Sequence, residues 1–150
     1  MKMDNVMKIE FSALAENEAF ARAVAASFVM PLDPTVEELT EIKTAVSEAV
    51  SNCIIHGYKG WGNRQNARVF MECSMLKGGK VVIKVRDEGS GIEDIKKAME
   101  PLFTTGSEEE RSGMGFTVME SFMDKLVVES EKGKGTTVIM TKYLDIISVE

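Results

Sequence analysis

The sequence predicts an α+β fold, a two-layer sandwich in which helices pack on one face of a mostly antiparallel mixed sheet. Strand-like runs occur mostly in pairs separated by glycine turns, and helical stripes stand between them, in the order β-α-α-β-β-α-α-β-β. The composition agrees, because 150 residues with 44% apolar and 28% charged content suit one domain with a single core. We therefore expect one domain spanning residues 1–150.

The first part of the chain predicts one strand and one helix. Residues Val6 to Ala13 alternate apolar and charged side chains, as a half-buried strand does. Residues 16–30 place Phe20, Val24 and Phe28 four apart, which gives one apolar helical face. The prolines of "PLDP" end this helix, since proline disfavours helical backbone at and before its own position.

A capping box begins the second helix. Thr35 and Glu38 form the T-x-x-E pattern, and an apolar stripe follows it. The stripe predicts a helix that runs to about His56, with Gly57 as its C-cap. The glycine-rich and amide-rich residues 58–66 then predict a loop.

The rest of the chain predicts two hairpins around a helical segment. Residues 67–76 and 80–85 form two strands joined by a glycine turn. Residues 91–102 predict a loop with a weak helix, and the polar residues 104–113 predict either a mobile flap or a solvated connector. Residues 114–124 are expected to form the third long helix. A last hairpin contains "KLVVESE" and "TTVIMTKYL" around the turn "KGKG".

Charge and hydropathy restrict the classes of partner. The net charge is −6 and the 18 basic residues are spread along the chain, so no direct nucleic-acid surface is expected. No run reaches the roughly 18 apolar residues of a membrane span, and the N-terminus lacks the apolar block of a signal peptide. We therefore expect a cytoplasmic protein without membrane contact, in which a nucleotide can still be held locally. Cys53 and Cys73 lie in apolar surroundings and are expected to be buried thiols.

Glu48 and Asn52 are a candidate pair of site residues on the second helix. Positions four apart on a helix differ by about 40°, so both side chains leave the same side, away from the apolar stripe. An amide oxygen is a neutral hard ligand, suitable for a Mg²⁺ ion that keeps several waters. The alternative is that both are ordinary polar surface residues.

Asp87 directly follows a strand, in the stretch "RDEGSGI". Its carboxylate can accept a hydrogen bond from an exocyclic amine, while Gly89 and Gly91 leave room for a flat ring. A turn carboxylate that caps the next helix is the alternative.

The stretch "RSGMGF" is a candidate phosphate site. Gly113, Met114 and Gly115 are expected to turn backbone N–H groups toward an anion at the start of the third helix. Arg111 offers a fixed charge that could reach a terminal phosphate. The pattern is not a Walker A motif, because no G-K-[ST] occurs, and a glycine-rich helix entry is the alternative.

Four segments occur in one order: N-x-x-x-H-G on a helix, D-x-G-x-G after a strand, G-x-G opening a helix, and "KGKGTT" before the last strand. This order resembles the GHKL (Bergerat) ATP-binding fold of gyrase-type topoisomerases, heat-shock chaperones, histidine kinases and mismatch-repair ATPases. Within that group the chain is similar to the anti-sigma factors with serine kinase activity from endospore-forming bacteria. The residues that carry this closer resemblance are "LDPTVEELTEIKTAVSEAVSNCIIHGY", "RDEGSGI", "PLFTTGSEEERSGMGFTVMESFMD" and "KGTTV".

The resemblance implies ATP or ADP and Mg²⁺ as ligands. Asn52 looks like the Mg²⁺ ligand, and Glu48 resembles the catalytic carboxylate that orients a protein serine or takes its proton. Asp87 looks like the acceptor for the adenine amine, with Gly91 in the same pocket and Thr136 as a second, water-mediated contact.

The resemblance also implies an ATP lid, from about Thr104 to Ser112, and a backbone cradle for the phosphates. Arg111 is the second residue to which we assign a catalytic role. The lid and cradle residues are Thr104, Thr105, Ser112, Gly113, Met114, Gly115 and Phe116.

The partners implied are a sporulation RNA-polymerase sigma factor, sigma F, and an anti-anti-sigma protein that is phosphorylated on serine. A homodimer is also implied, with strand 6–13 as a candidate dimer edge, and Arg22 is a plausible partner contact. A kinase for the general-stress sigma factor and a non-catalytic sequestering module remain alternatives. A phosphoacceptor role for His56 is not expected. The segment between Gly57 and Arg86 is longer than the resemblance leads us to expect, which predicts a longer loop or hairpin, such as a longer Tyr58–Asn66 loop, remote from the phosphates.

Overall fold

The computed structural model describes residues 5–100 and 108–145, with side chains of the long C-terminal helix described from Met114 onward. The strands and helices are numbered in chain order. They are β1 Asn5–Ser12, α1 Asn17–Val29, α2 Val36–Asn52, β2 Arg68–Leu76, β3 Lys80–Asp87, α3 Ile95–Ala98, α4 Glu108–Phe122, β4 Lys125–Ser130 and β5 Thr136–Tyr143. A 3₁₀ turn, Met30–Leu32, follows α1, and a π turn, Cys53–Gly57, follows α2.

The five strands form one sheet in the order β1-β2-β3-β5-β4, and each neighbouring pair is antiparallel. β2 and β3 alternate buried and half-buried residues along their length, as expected for strands with one face on the core. α2 contributes Ile42, Val46 and Val50 to that core, all without solvent exposure. The predicted α+β fold, with helices against a mostly antiparallel sheet, is therefore confirmed.

α2 begins as predicted and ends differently. Thr35 Oγ1 accepts the Glu38 N–H at 3.0 Å, and Glu38 Oε1 accepts the Thr35 N–H at 2.9 Å, which completes the capping box. The α-helical part ends at Asn52, four residues before the predicted end at His56. A π turn follows, in which the Tyr58 N–H reaches back five residues to the Cys53 carbonyl at 3.2 Å.

α4 begins at Glu108, six residues before the predicted start of the third helix. The prediction that 108–113 are a flap or connector is therefore wrong. Glutamate and arginine are good helix formers, and acidic residues suit a helix N-terminus, so "EEER" favours helix there. This preference outweighs the cost of roughly 1 kcal/mol for each glycine inside the helix.

The buried face of α1 is offset by one residue from the predicted apolar face. Ala21, Ala25 and Val29 have no solvent exposure, whereas Phe20 is 50% exposed. Small side chains allow α1 to approach α2 closely, so the larger apolar residues are displaced to the rim.

Within the described ranges, no helix is long and apolar enough to cross a bilayer.

Candidate functional site

Three turns of the chain meet around Asp87, and glycine is required where they touch. A Cβ on Gly57 would lie 2.7 Å from Asp87 Oδ2, and one on Gly135 would lie 2.2 Å from the Asp87 carbonyl oxygen. A Cβ on Gly89 would lie 1.8 Å from the Gly57 carbonyl oxygen. Since a real Cβ cannot approach backbone so closely, these glycines allow the turns to pack together.

Gly91 answers to a similar constraint. Its φ is +73°, and a Cβ there would lie 2.0 Å from the Glu131 carbonyl oxygen. Gly89 and Gly91 were expected to leave room for a flat ring, but the nearest atoms to both are backbone of this chain. Of the two, Gly91 also lines the cavity beside Asp87.

Asp87 is held by donors from three segments. Its side chain is in a residue only 3% exposed, and Oδ1 accepts the Gly89 N–H at 2.9 Å. Burial raises the pKa of the Asp87 carboxyl, while hydrogen bonds from the Gly89 N–H, the Cys53 thiol and the Thr136 N–H oppose that rise. The carboxylate is therefore fixed in position and poorly solvated. A further hydrogen-bond donor from a ligand would stabilise its charged form.

A cavity of about 40 Å³ lies beside this carboxylate. Five of the predicted site residues line it together: Asn52, Asp87, Gly91, Phe116 and Thr136. The other lining residues are Ala49, Cys53, His56, Gly57, Ile92 and Val138. Small-molecule pockets usually have roughly 300–1,000 Å³, so the cavity has to widen before a nucleotide can enter.

Asn52 and Gly115 show where it can widen. Asn52 Nδ2 is buried and has no hydrogen-bond partner among the described residues. α4 lies directly over it, because a Cβ on Gly115 would be 3.1 Å from that nitrogen. A buried unpaired donor costs about 1–3 kcal/mol, which a ligand that displaces α4 could recover.

Glu48 stands one turn before Asn52 on α2 and is half-buried. Burial raises the pKa of its carboxyl, and the negative charge of Glu18 raises it further. Glu48 does not line the cavity, so the structure places it beside the site rather than in it.

The predicted phosphate loop is not formed as expected. Residues 113–116 lie inside α4, where backbone N–H groups donate to carbonyls four residues earlier. The expected helix entry at Met114 is therefore wrong, because the N-terminus of α4 is at Glu108. Met114 is 57% exposed, and Phe116 is buried in the core.

Several predicted residues cannot be placed. Thr104 and Thr105 lie outside the described residues, and the side chains of Arg111 and Ser112 do as well. Gly113 is described by its backbone alone, inside α4. Within the described residues no three acidic, histidine or cysteine side chains cluster as metal ligands. The amide oxygen of Asn52 is a neutral donor that suits a mostly water-coordinated Mg²⁺.

Two supporting residues were missed from the sequence. The Tyr58 hydroxyl accepts the Glu88 N–H at 2.7 Å and donates to the Arg68 carbonyl at 2.5 Å, so it anchors the loop after Asp87. Ser130 Oγ lies 2.7 Å from Thr136 Oγ1 and accepts the Ile92 N–H at 2.7 Å. No local pattern marks either residue, since both act through segments distant in sequence.

Comparisons with known proteins identify the family of the chain. Residues 11–142 match the family described as "Histidine kinase-like ATPase domain". The chain is 57% identical over 144 residues to an "Anti-sigma F factor" of Thermoanaerobacter sp. (strain X514), covering 96% of this chain and 97% of that protein. It is 58% identical over 142 residues to an "Anti-sigma F factor" of Geobacillus thermodenitrificans (strain NG80-2), covering 95% of this chain and 94% of that one.

Solved structures share the fold at lower identity. The RsbU and RsbW domains of a Mycobacterium tuberculosis protein match with a TM-score of 0.63 at 20% identity, covering 93% of this chain and 32% of that one. The catalytic domain of the histidine kinase ThkA matches with a TM-score of 0.53 at 18% identity, covering 91% of this chain and 97% of that domain. The chain therefore belongs to the histidine kinase-like ATPase domain family and, within it, to the anti-sigma F factors.

Proposed function

We propose that this chain is an ATP-dependent serine kinase that also acts as an anti-sigma factor. It holds a sporulation sigma factor, sigma F, and phosphorylates a serine of the anti-anti-sigma protein that opposes it. Membership among the anti-sigma F factors supports both partners. The observation that carries the kinase activity is the convergence of Asn52, Asp87 and Thr136 on one cavity from three distant segments.

The adenine end of the site is built around Asp87. Its buried carboxylate accepts a hydrogen bond from the exocyclic amine of adenine. This bond replaces a hydrogen bond from water that the carboxylate loses on burial. Thr136, held by Ser130, supplies a second contact to the ring through a bridging water. These contacts do not involve the terminal phosphate, so ADP is expected to bind in addition to ATP.

The phosphate end requires α4 to move. Residues 113–116 become a backbone cradle only when the first turns of α4 unwind, and that same movement lifts Gly115 off Asn52. The amide oxygen of Asn52 would then hold a Mg²⁺ ion. When bound, the ion would neutralise charge at the phosphates, and Arg111 would add a second positive charge there.

Glu48 takes part in the transfer itself. The serine oxygen of the anti-anti-sigma protein forms a bond to the γ-phosphorus as the bond to the β,γ-bridging oxygen breaks, and ADP leaves. Glu48 orients that serine and accepts its proton. The half-buried position and the raised pKa of its carboxyl make it a better base than an ordinary surface glutamate.

A homodimer is part of the proposal. β1 is an edge strand of the sheet, and its Val6 is 52% exposed. The groove between β1 and α1 is apolar, contains about 450 Å³ and includes Phe20, which is 50% exposed; its other lining residues are Met7, Ala23, Val24, Ser27 and Phe28. A second copy pairing at this edge covers both the unpaired strand and the apolar groove.

One incubation tests the central claim. The purified chain is mixed with ATP labelled on the γ-phosphate, Mg²⁺ and the anti-anti-sigma protein, and label on a serine of that protein is measured. Transfer to serine is expected. Nucleotide binding and sigma F capture without any transfer would instead identify a non-catalytic sequestering module, and capture of the general-stress sigma factor in place of sigma F would overturn the assignment of the partner.

Sedimentation of the chain tests the dimer. The wild type is expected to sediment as a dimer at micromolar concentration, and Phe20→Asp, which places a charge in the apolar groove, as a monomer. A wild type that sediments as a monomer would contradict the proposal.

A further inference from the structure

Glu18 joins α1 to the turn of α2 that carries the candidate base. Glu18 Oε2 accepts a hydrogen bond from Ser51 Oγ at 2.9 Å, and Oε1 lies 3.4 Å from Nη1 of Arg22. The same Nη1 atom donates to Ser47 Oγ at 3.2 Å. α1 is therefore hydrogen-bonded to α2 through the hydroxyls of Ser47 and Ser51, which lie one turn apart.

The two serines that α1 contacts are each next to a candidate site residue in the sequence. Ser47 directly precedes Glu48, and Ser51 directly precedes Asn52. On a helix, consecutive residues are about 100° apart. The face of α2 that carries Ser47 and Ser51 therefore adjoins the face that carries Glu48 and Asn52. A rotation or shift of this turn that released the serines would also move Glu48 and Asn52.

Glu18 also acts on Glu48 through its charge. Burial is the main reason that the pKa of the Glu48 carboxyl is raised, and the Glu18 carboxylate is the second. The other charged and titratable groups nearby are Arg22, which pairs with Glu18 and donates to Ser47; Asp87 and His56, which line the cavity; and the exposed Glu120 of α4.

We propose that Glu18 is a positioning residue for phosphoryl transfer: it fixes the turn of α2 that bears Glu48 and places a second negative charge beside that carboxylate. This inference rests on the proposed kinase function and names how its base is prepared. Glu18 does not line the cavity beside Asp87, and the proposed role is exerted through Glu48 and Ser51.

The two parts of the role can be separated by two variants. Glu18→Gln removes the charge and keeps an oxygen that can accept the Ser51 hydroxyl. Ser51→Ala removes that hydrogen bond and keeps the charge. Glu16→Gln is the matched control, because Glu16 is an exposed carboxylate that precedes the same helix, outside the network.

The measurement is the rate of phosphate transfer to the anti-anti-sigma protein as a function of pH, at saturating ATP. A base must be ionised, so the rate rises as pH passes through the pKa of Glu48. Removing the charge of Glu18 lowers that pKa, so in Glu18→Gln the rising limb moves to lower pH. The plateau rate falls by about 2- to 5-fold, because a weaker base takes the proton less readily.

Ser51→Ala is expected to leave the rising limb where it is and to lower the plateau, and Glu16→Gln to match the wild type in both. A rising limb in Glu18→Gln that coincides with that of the wild type would overturn the electrostatic part. An unchanged plateau in Ser51→Ala would overturn the positional part. If the wild type transfers no phosphate at any pH, the proposed function fails instead, so the two failures are distinguishable.

Discussion

Gly115 of α4 lies so close to Asn52 of α2 that a Cβ on the glycine would stand 3.1 Å from Asn52 Nδ2. The two residues belong to helices that together roof the cavity beside Asp87. In the proposed mechanism, access of nucleotide to Asn52 depends on how readily the first turns of α4 unwind.

Gly115→Ala is expected to weaken ATP binding. Alanine stabilises a helix interior by up to about 1 kcal/mol relative to glycine, so the helical form of α4 becomes harder to unwind, provided that the Asn52 side chain shifts to admit a Cβ 3.1 Å from its Nδ2. ATP affinity should fall by up to about 5-fold, as measured by calorimetry. Gly62→Ala is the control, because its Cβ meets nothing within 4 Å. Equal affinity in both variants would show that α4 need not unwind.

Asp87→Asn is expected to lose most of the affinity for adenine nucleotides. The amide presents a donor to the adenine amine, and losing a hydrogen bond to a charged group costs about 1.5–3 kcal/mol, or roughly 10- to 150-fold. Both ATP and ADP should be affected equally. Glu88→Gln is the control, since Glu88 pairs with Arg86 on the surface. Unchanged nucleotide affinity in Asp87→Asn would place adenine elsewhere.

The pH dependence of folding gives an independent test of Asp87 without nucleotide. The pKa of Asp87 is raised in the folded state, chiefly by burial, so in the window between its unfolded and folded pKa the folded state binds more protons. Ionising Asp87 therefore reduces the free energy of unfolding as pH rises through that window.

Urea unfolding of wild type and Asp87→Asn at a series of pH values measures this contribution. Stability of the wild type relative to the variant should fall as pH rises through the window and stay constant above it. Glu48, whose pKa is also raised, contributes equally to both proteins and cancels in the comparison. A relative stability that instead rose with pH would mean that the Asp87 carboxylate is stabilised by its donors more than it is penalised by burial.

Glu48→Gln is expected to separate chemistry from partner binding. The amide keeps nearly the same shape but cannot take a proton, so transfer to the anti-anti-sigma protein should fall by about 10²- to 10⁴-fold. ATP affinity should change by less than about 1 kcal/mol, and sigma capture should persist. Glu37→Gln, on the exposed start of the same helix, is the control. Wild-type transfer in Glu48→Gln would make Glu48 an ordinary surface carboxylate.

The sequence predicted the order of the long elements because strand pairs, the capping box at Thr35 and the glycine turns are local signals. It also selected Asn52, Asp87 and Thr136, which the fold brings together. It misjudged α4, since a choice between helix and loop for "EEERSGMG" depends on weak propensities that nearly cancel.

Contacts between distant segments account for the other differences. From the sequence we expected Gly89 and Gly91 to make room for a ligand. In the structure they make room for backbone atoms of Gly57 and Glu131, which are distant in sequence. The α1 face was displaced because helix-to-helix packing selected Ala21 and Ala25 over larger neighbours. Neither outcome is encoded in a window of adjacent residues.

The hydroxyl of Tyr58, which contacts both the Arg68 carbonyl and the Glu88 N–H, has a consequence for how this protein can vary. It pins the two ends of residues 58–68 together and ties both ends to the strand end that bears Asp87. The chain between them is a loop closed at its base, so we expect a change in its length to displace the nucleotide pocket little where the contacts of Trp61 and Arg64 are kept. We therefore expect an engineered insertion, such as a label or a binding tag, to be tolerated best at Gly62–Asn63, past Trp61, whose ring packs on that of Tyr58 at 4.8 Å.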